Sequence, residues 1–156
     1  MGVSGSGKST LGNALGKAFS IPFIEGDDFH PQSNINKMKQ GIPLKDEDRR
    51  PWLVSLSEEL NSHKSHSAVL SCSALKISHR ELLSSLILNK TIFWIYLKCS
   101  FKKLEKRIKG RSHFMPISLL KSQLDTLEEP KGVLCLKDAL SLKEMIEQVK
   151  IKINEY

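Results

Sequence analysis

A chain of 156 residues has room for one α/β core and little more. Hydrophobic residues make up 40% and charged residues 26%, an ordinary folded composition, and no apolar run approaches the ~20 residues of a bilayer span. The net charge of +7 raises the question of nucleic acid, but the lysines are spread along helical segments without any accompanying motif. They read as solvated faces and as a preference for small anions, so neither a nucleic acid nor a membrane is an expected partner.

The informative feature stands at the start. Residues 2–9, GVSGSGKS, match G-x-x-x-x-G-K-[ST] in full. Gly2, Gly5 and Gly7 let the backbone wrap closely enough for its N–H groups to face a polyphosphate. The expected cradle comprises Gly2, Val3, Ser4, Gly5, Ser6, Gly7, Lys8, Ser9 and Thr10. In it Lys8 reaches the terminal phosphates, Ser9 offers a hydroxyl to Mg²⁺, and the next helix presents its positive end. Such a loop ordinarily follows a buried strand, and no strand-forming residues precede this one.

Beyond the loop, Leu11, Ala14, Leu15, Ala18 and Phe19 recur at helical spacing. Residues 22–25 read as a short strand, 34–40 as a helix closed by Gly41, and 43–50 as a polar stretch. Pro51 opens a helix carrying Trp52, Leu53, Leu56 and Leu60. A strand is expected within 67–71, and Ser78 with Glu81 has the form of a capping box. Residues 91–97 are almost continuously apolar, the clearest strand, followed by a basic helix to about Lys109. A loop over 110–115, a helix over 116–127, a strand over 133–136 and a helix capped by Ser141 and Glu144 complete the chain.

Strands alternating with helices predict a single α/β domain over 1–156: a three-layer parallel sheet with helices on both faces and its first central strand missing. Losing that strand is expected to leave the chain poorly stable. Three scattered cysteines, Cys72, Cys99 and Cys135, suit a reducing compartment, and the start carries no secretory pattern, so a cytoplasmic location is expected.

Ligands of such sheets gather at the carboxyl ends of the strands. There EGDDFHP at 25–31 sets carboxylates and an imidazole just past a strand end. A carboxylate at that place can take the proton of an alcohol that attacks a γ-phosphate; the competing role is an Asp capping the next helix. Arg49, Lys76 and Arg80 are cations beside strand ends and loops, which together with a phosphate loop point to a pocket for a second, anionic substrate.

At these residues the sequence resembles the gluconokinase family, small phosphate-loop kinases of D-gluconate. The resemblance runs through 2–9, GDDFHP at 26–31, GIPL at 41–44, DRRPWL at 48–53, CSALK at 72–76 with Arg80, HFMP at 113–116, and SQLDTLE at 122–128 with Pro130. It implies a five-stranded parallel sheet like that of shikimate and nucleoside monophosphate kinases, with a lid at about 107–116 and a substrate-binding segment at about 27–62. It implies ATP and Mg²⁺ as cofactors and 6-phospho-D-gluconate as product. Lys8 and Asp27 would be catalytic, with Asp27 receiving the substrate hydroxyl and Glu25 near the Mg²⁺ shell beside Ser9. His30, Arg49, Lys76 and Arg80 would hold the sugar acid, and Arg107 and Arg111 would approach the nucleotide phosphates. A homodimer is common in that family.

The chain departs from the family pattern in its absent first strand, a lid about one residue shorter, Glu25 where Asp is usual, and a short segment after Pro130. Rival readings are a kinase of another small hydroxy acid, a shikimate-type or nucleoside monophosphate kinase, and a nucleotide-binding protein that no longer catalyses. The shikimate-type reading lacks its run of glycines at 71–76.

Overall fold

The computed structural model describes residues 1–63, 67–89, 91–110 and 118–155. The phosphate loop runs straight into α1 (Lys8–Phe19), whose buried Leu11 and Leu15 lie one turn apart. The chain then forms β1 (Phe23–Glu25), a 3-10 turn (Gly26–Phe29), α2 (Gln32–Lys39), α3 (Asp46–Ser62), β2 (Val69–Ser71) and α4 (Ile77–Leu86). β3 (Ile95–Lys98), α5 (Phe101–Lys109), α6 (Ser118–Thr126), β4 (Leu134–Lys137) and α7 (Leu142–Asn154) follow. No helix among the described residues is long and apolar enough to cross a membrane.

All pairing is parallel, as the alternation of elements requires. β1 lies beside β2 with Glu25 opposite Ser71, and β3 beside β4 with Ile95 opposite Leu134. The place of the expected central strand is visible between the two pairs. Met1 donates its amine to the Ile95 carbonyl at 2.5 Å and accepts from the Leu97 N–H at 3.0 Å. On the other side, Gly2 donates to the Ser73 carbonyl at 3.3 Å. Two residues therefore bridge β2 and β3, too few for a strand, and among the described residues the sheet divides into two pairs. The Met1 amine is buried there, and desolvation, with Lys8 nearby, pushes its pKa down to about 5.

Helices cover both faces, and β3 shows it residue by residue. Leu97 packs with Leu11 and Leu15 of α1, Leu136 of β4 and Val149 of α7. Its neighbour Tyr96 points the other way, into a cluster with Trp52, Leu53 and Leu56 of α3 and Leu83 of α4. Successive side chains of a strand face opposite sides, so one strand seals two layers. A third cluster, Val3, Leu75, Leu104 and Leu120, fastens the phosphate loop to α5 and α6.

Three expected boundaries shift. α3 begins at Asp46 rather than at Pro51. Asp46, Glu47 and Asp48 fill its first turn, where negative charge meets the positive helix end, and the Asp48 carboxylate accepts from the Lys45 N–H at 2.9 Å. α4 is opened by Lys76, whose N–H donates to His79 Nδ1 at 3.5 Å, instead of by Ser78 and Glu81. β3 is shorter than the apolar run of 91–97, because hydrogen bonding rather than hydrophobicity ends a strand. The Ser141–Glu144 capping box of α7 forms as expected.

Candidate active site

The loop has the form of an anion cradle. Gly5 and Gly7 have φ of +75° and +102°, values that side-chain-bearing residues rarely adopt. Gly7 caps α1 without any side-chain hydrogen bond, and the first turn of α1 has no acid to offset its dipole. The Ser6 hydroxyl is buried with no hydrogen-bond partner. An orphaned donor and an uncapped helix start both fit phosphate oxygens. Lys8 Nζ donates to the Val3 carbonyl at 3.0 Å, folded across the loop. Arg107 of α5 donates from one nitrogen to the Gly5 and Ser6 carbonyls at 3.0 and 3.2 Å. A cleft of about 490 Å³ opens here, lined by Ser4, Gly5, Gly7, Lys8, Ser9, Thr10, Asp27, Arg107 and Ile108. Gly2 and Val3 stand apart from it: Gly2 is bonded into the sheet and Val3 is core.

A second cleft, about 620 Å³, shares the wall formed by Ser4, Lys8 and Asp27. Its other lining includes His30, Arg49, Trp52, Ser73, Ser122 and Gln123. Asp27 reaches this wall because Gly26 packs against β2. A Cβ on Gly26 would stand 2.1 Å from the Ser71 carbonyl oxygen, so only glycine permits the approach. Trp52 Nε1 donates to the Gly26 carbonyl at 2.7 Å, and its ring stacks on His30 with centroids 4.2 Å apart. Arg49, one turn of α3 away, donates to the Leu44 carbonyl at 2.6 Å. Burial pulls the pKa of His30 down, opposed by Asp27 and aided by Arg49. The cleft is thus polar, partly desolvated, and cationic on the Arg49 side.

Two expected contributors lie elsewhere. Lys76 Nζ is bound to both oxygens of Asp46, at 2.7 and 2.9 Å, and Arg80 donates to the carbonyls of Ala74, Leu75 and Glu128. Neither lines a described cleft; their hydrogen bonds tie the start of α4 to α3 and to the end of α6. Glu25 also stays off both linings, and its carboxylate accepts from the Ser71 hydroxyl. Arg111 and residues 113–116 of the expected lid lie outside the described residues.

Several lining residues lie in segments the sequence marked without giving them a role. Trp52 looked like one more apolar residue of α3. Gln123 carried a weak signal, an amide among Leu119, Leu120 and Leu124; in the fold its Oε1 accepts from the Ser4 N–H at 2.7 Å and fastens α6 to the loop. Ser73 follows the carboxyl end of β2, where ligands of such sheets are expected to gather, and it lines the second cleft.

Two clefts that share a lysine and a carboxylate, one floored by a phosphate loop, define a small-molecule kinase of the phosphate-loop type. The family model described as shikimate kinase matches residues 4–132. The thermosensitive gluconokinase of Escherichia coli strain K12 is 42% identical over 135 residues, 85% of this chain and 71% of its own length. The gluconokinase of Gluconobacter oxydans strain 621H is 46% identical over 133 residues, 83% of this chain and 74% of its own. A solved gluconokinase structure from Sinorhizobium meliloti 1021 superposes with a TM-score of 0.84 at 45% identity, covering 95% of this chain and 85% of that one. The chain belongs to the gluconokinase family.

Proposed function

We propose that the protein transfers the γ-phosphoryl group of ATP to D-gluconate, giving 6-phospho-D-gluconate and ADP. The observation that carries the reading is the shared wall: Lys8 and Asp27 line both clefts, so a nucleotide in one and an alcohol in the other would meet between them. Phosphoryl transfer asks the protein for position and charge rather than for covalent chemistry.

In this reading the loop N–H groups and Lys8 neutralise the phosphates, and the Ser6 hydroxyl gains the acceptor it lacks. Asp27 accepts the proton of the attacking hydroxyl as the new P–O bond forms. Arg49 supplies the positive charge for the sugar acid, and its side chain, only 12% exposed, binds a carboxylate with little competition from water. His30 holds a further oxygen of the acceptor. Arg107 donates to the loop carbonyls and lines the first cleft, a second cation beside Lys8 for the nucleotide. Mg²⁺ suits an all-oxygen set: the exposed Ser9 hydroxyl would hold it and the ion would neutralise phosphate charge, whereas Glu25, off both linings and bound by Ser71, would serve it only from outside the first contacts. A cytoplasmic location and a homodimer remain part of this proposal.

The test is a coupled ADP-release assay with gluconate, shikimate and AMP as alternative acceptors. Gluconate should support turnover in the presence of ATP and Mg²⁺ while the others give little. Preference for either alternative by about tenfold or more would overturn the substrate assignment.

A further inference from the structure

Asn34 is a fully polar side chain in the first turn of α2, only 2% exposed, and neither cleft includes it. Its amide stands 2.8 Å from the Asp48 carbonyl oxygen. That contact decides which amide atom is which, since a carbonyl oxygen tolerates only a donor at such a distance. The atom is therefore Nδ2, and the same NH₂ group lies 3.4 Å from Nδ1 of His30. An NH₂ group has no lone pair to offer a ring N–H. Nδ1 must then be the unprotonated nitrogen, and the ring proton sits on Nε2.

The rest of the ring is held as firmly. One face stacks on Trp52, tilted by 16°, and Trp52 is itself fastened through Nε1 to Gly26. The imidazole is 6% exposed. Its Nε2 edge faces Asp27, whose nearer oxygen is 3.9 Å away, beyond hydrogen-bond reach. The charged groups facing the ring are Asp27 from the 3-10 turn and Arg49 from α3. The Asp48 carboxylate is turned away, toward Lys37 and Lys45.

We propose that Asn34 is a positioning residue that fixes His30 as its Nε2–H tautomer, making the imidazole a one-way hydrogen-bond donor to an acceptor-substrate oxygen beside Asp27. This rests on the second cleft being the acceptor site. A donor at that point selects an oxygen lone pair and directs the hydroxyl's own proton away from the imidazole. With the Nδ1 lone pair directed at Asn34 and Nε2 protonated, His30 presents no basic site on its Asp27 side. The proton of the attacking alcohol then has one acceptor, Asp27, and the two groups cannot exchange roles.

Two measurements test this, one of them independent of turnover. In ¹⁵N-histidine-labelled protein, two-bond proton–nitrogen NMR spectra should show the His30 ring with unprotonated Nδ1 and protonated Nε2 at neutral pH. A ring protonated at Nδ1, or one averaging between tautomers, would overturn the proposal whatever the enzyme phosphorylates. Asn34→Asp replaces the donor by an acceptor and should move the ring proton to Nδ1 or create an imidazolium; an unchanged tautomer refutes the role of Asn34.

The kinetic arm needs no stable Asn34 variant. His30→Gln restores an N–H near the Nε2 position without a tautomer to set, and should keep the KM for gluconate within a fewfold. His30→Ala should raise that KM by about tenfold or more with the KM for ATP little changed, as expected for one lost hydrogen bond. If His30→Gln fares no better than His30→Ala, the donor role fails. If the tautomer is as described but gluconate is not phosphorylated, the substrate reading fails and the Asn34–His30 assignment stands.

Discussion

An amine buried in a sheet is costly to charge, and Met1 with a free amine allows that cost to be measured. In a chain whose first residue carries a free amine, the group titrates near 8.0 when unfolded and at about 5 in the fold. Below pH 5 both states bind the proton, and above pH 8 neither does. Between these limits the unfolded chain holds a proton that the folded chain has released, so unfolding takes up a proton and stability rises with pH. Three pKa units at about 1.36 kcal/mol each amount to about 4 kcal/mol, present in full above pH 8 and lost by pH 5. A typical domain has only about 5–15 kcal/mol in all. The buried His30 and His79, whose pKa values are also lowered by desolvation, add slope of the same sign. The control is therefore the same chain acetylated at Met1, which keeps the histidines and removes the titrating amine. Urea unfolding followed by tryptophan fluorescence across pH 5–8 should show a steep rise for the free amine and a much shallower one after acetylation. Equal slopes would mean that the amine stays solvated and that Met1 does not sit in the gap between β2 and β3 as described.

Asp27→Asn keeps the shape of the side chain and removes its proton-accepting charge, so kcat should fall by ~10²–10⁴ while the KM for gluconate changes little; near-parental turnover would make Asp27 a structural residue of the turn. Gly26→Ala forces a methyl group against the Ser71 carbonyl oxygen, 2.1 Å away, and strains the 2.7 Å bond from Trp52. Chemical denaturation should show a loss of about 2–3 kcal/mol, typical of an overpacked site with no flexible neighbour to yield, and an unchanged midpoint would show that β1 and β2 part easily at that end.

Sequence reading reached furthest where chemistry is carried by neighbours in the chain. GVSGSGKS specifies a loop, a helix start and a lysine within eight residues; the loop and the helix start form as expected because their geometry is set by local φ values and spacing, and Lys8 lines the cleft with its Nζ on the Val3 carbonyl. Asp27 was legible as a candidate for the same reason, a strand end, a glycine and a carboxylate in direct succession, and it lines both clefts. Arg49 and His30 were reached through resemblance and pattern, and both line the second cleft. Residues 111–117 lie outside the described part of the chain, so the expectations for Arg111 and the lid stand as expectations.

Lys76 and Arg80 show what a sequence alone leaves undecided. Each is a cation near a strand end, as is Arg49, and nothing in local spacing separates them. The fold does: Asp46, thirty positions earlier, captures Lys76, and three backbone carbonyls occupy Arg80, while Arg49, 3.8 Å from the same Asp46, still lines the cleft. The same holds for two groups inside matched segments that no motif gave a role, and for Asn34, which lies in none. Trp52 becomes the surface on which His30 stacks, Asn34 meets Nδ1 of that ring, and Gln123 reaches the loop backbone 119 positions away. A motif determines which atoms are near each other along the chain. Which side chain loses its water, which charge is already paired and which hydrogen bond is already made depend on contacts between elements far apart in sequence, and only the tertiary structure decides those.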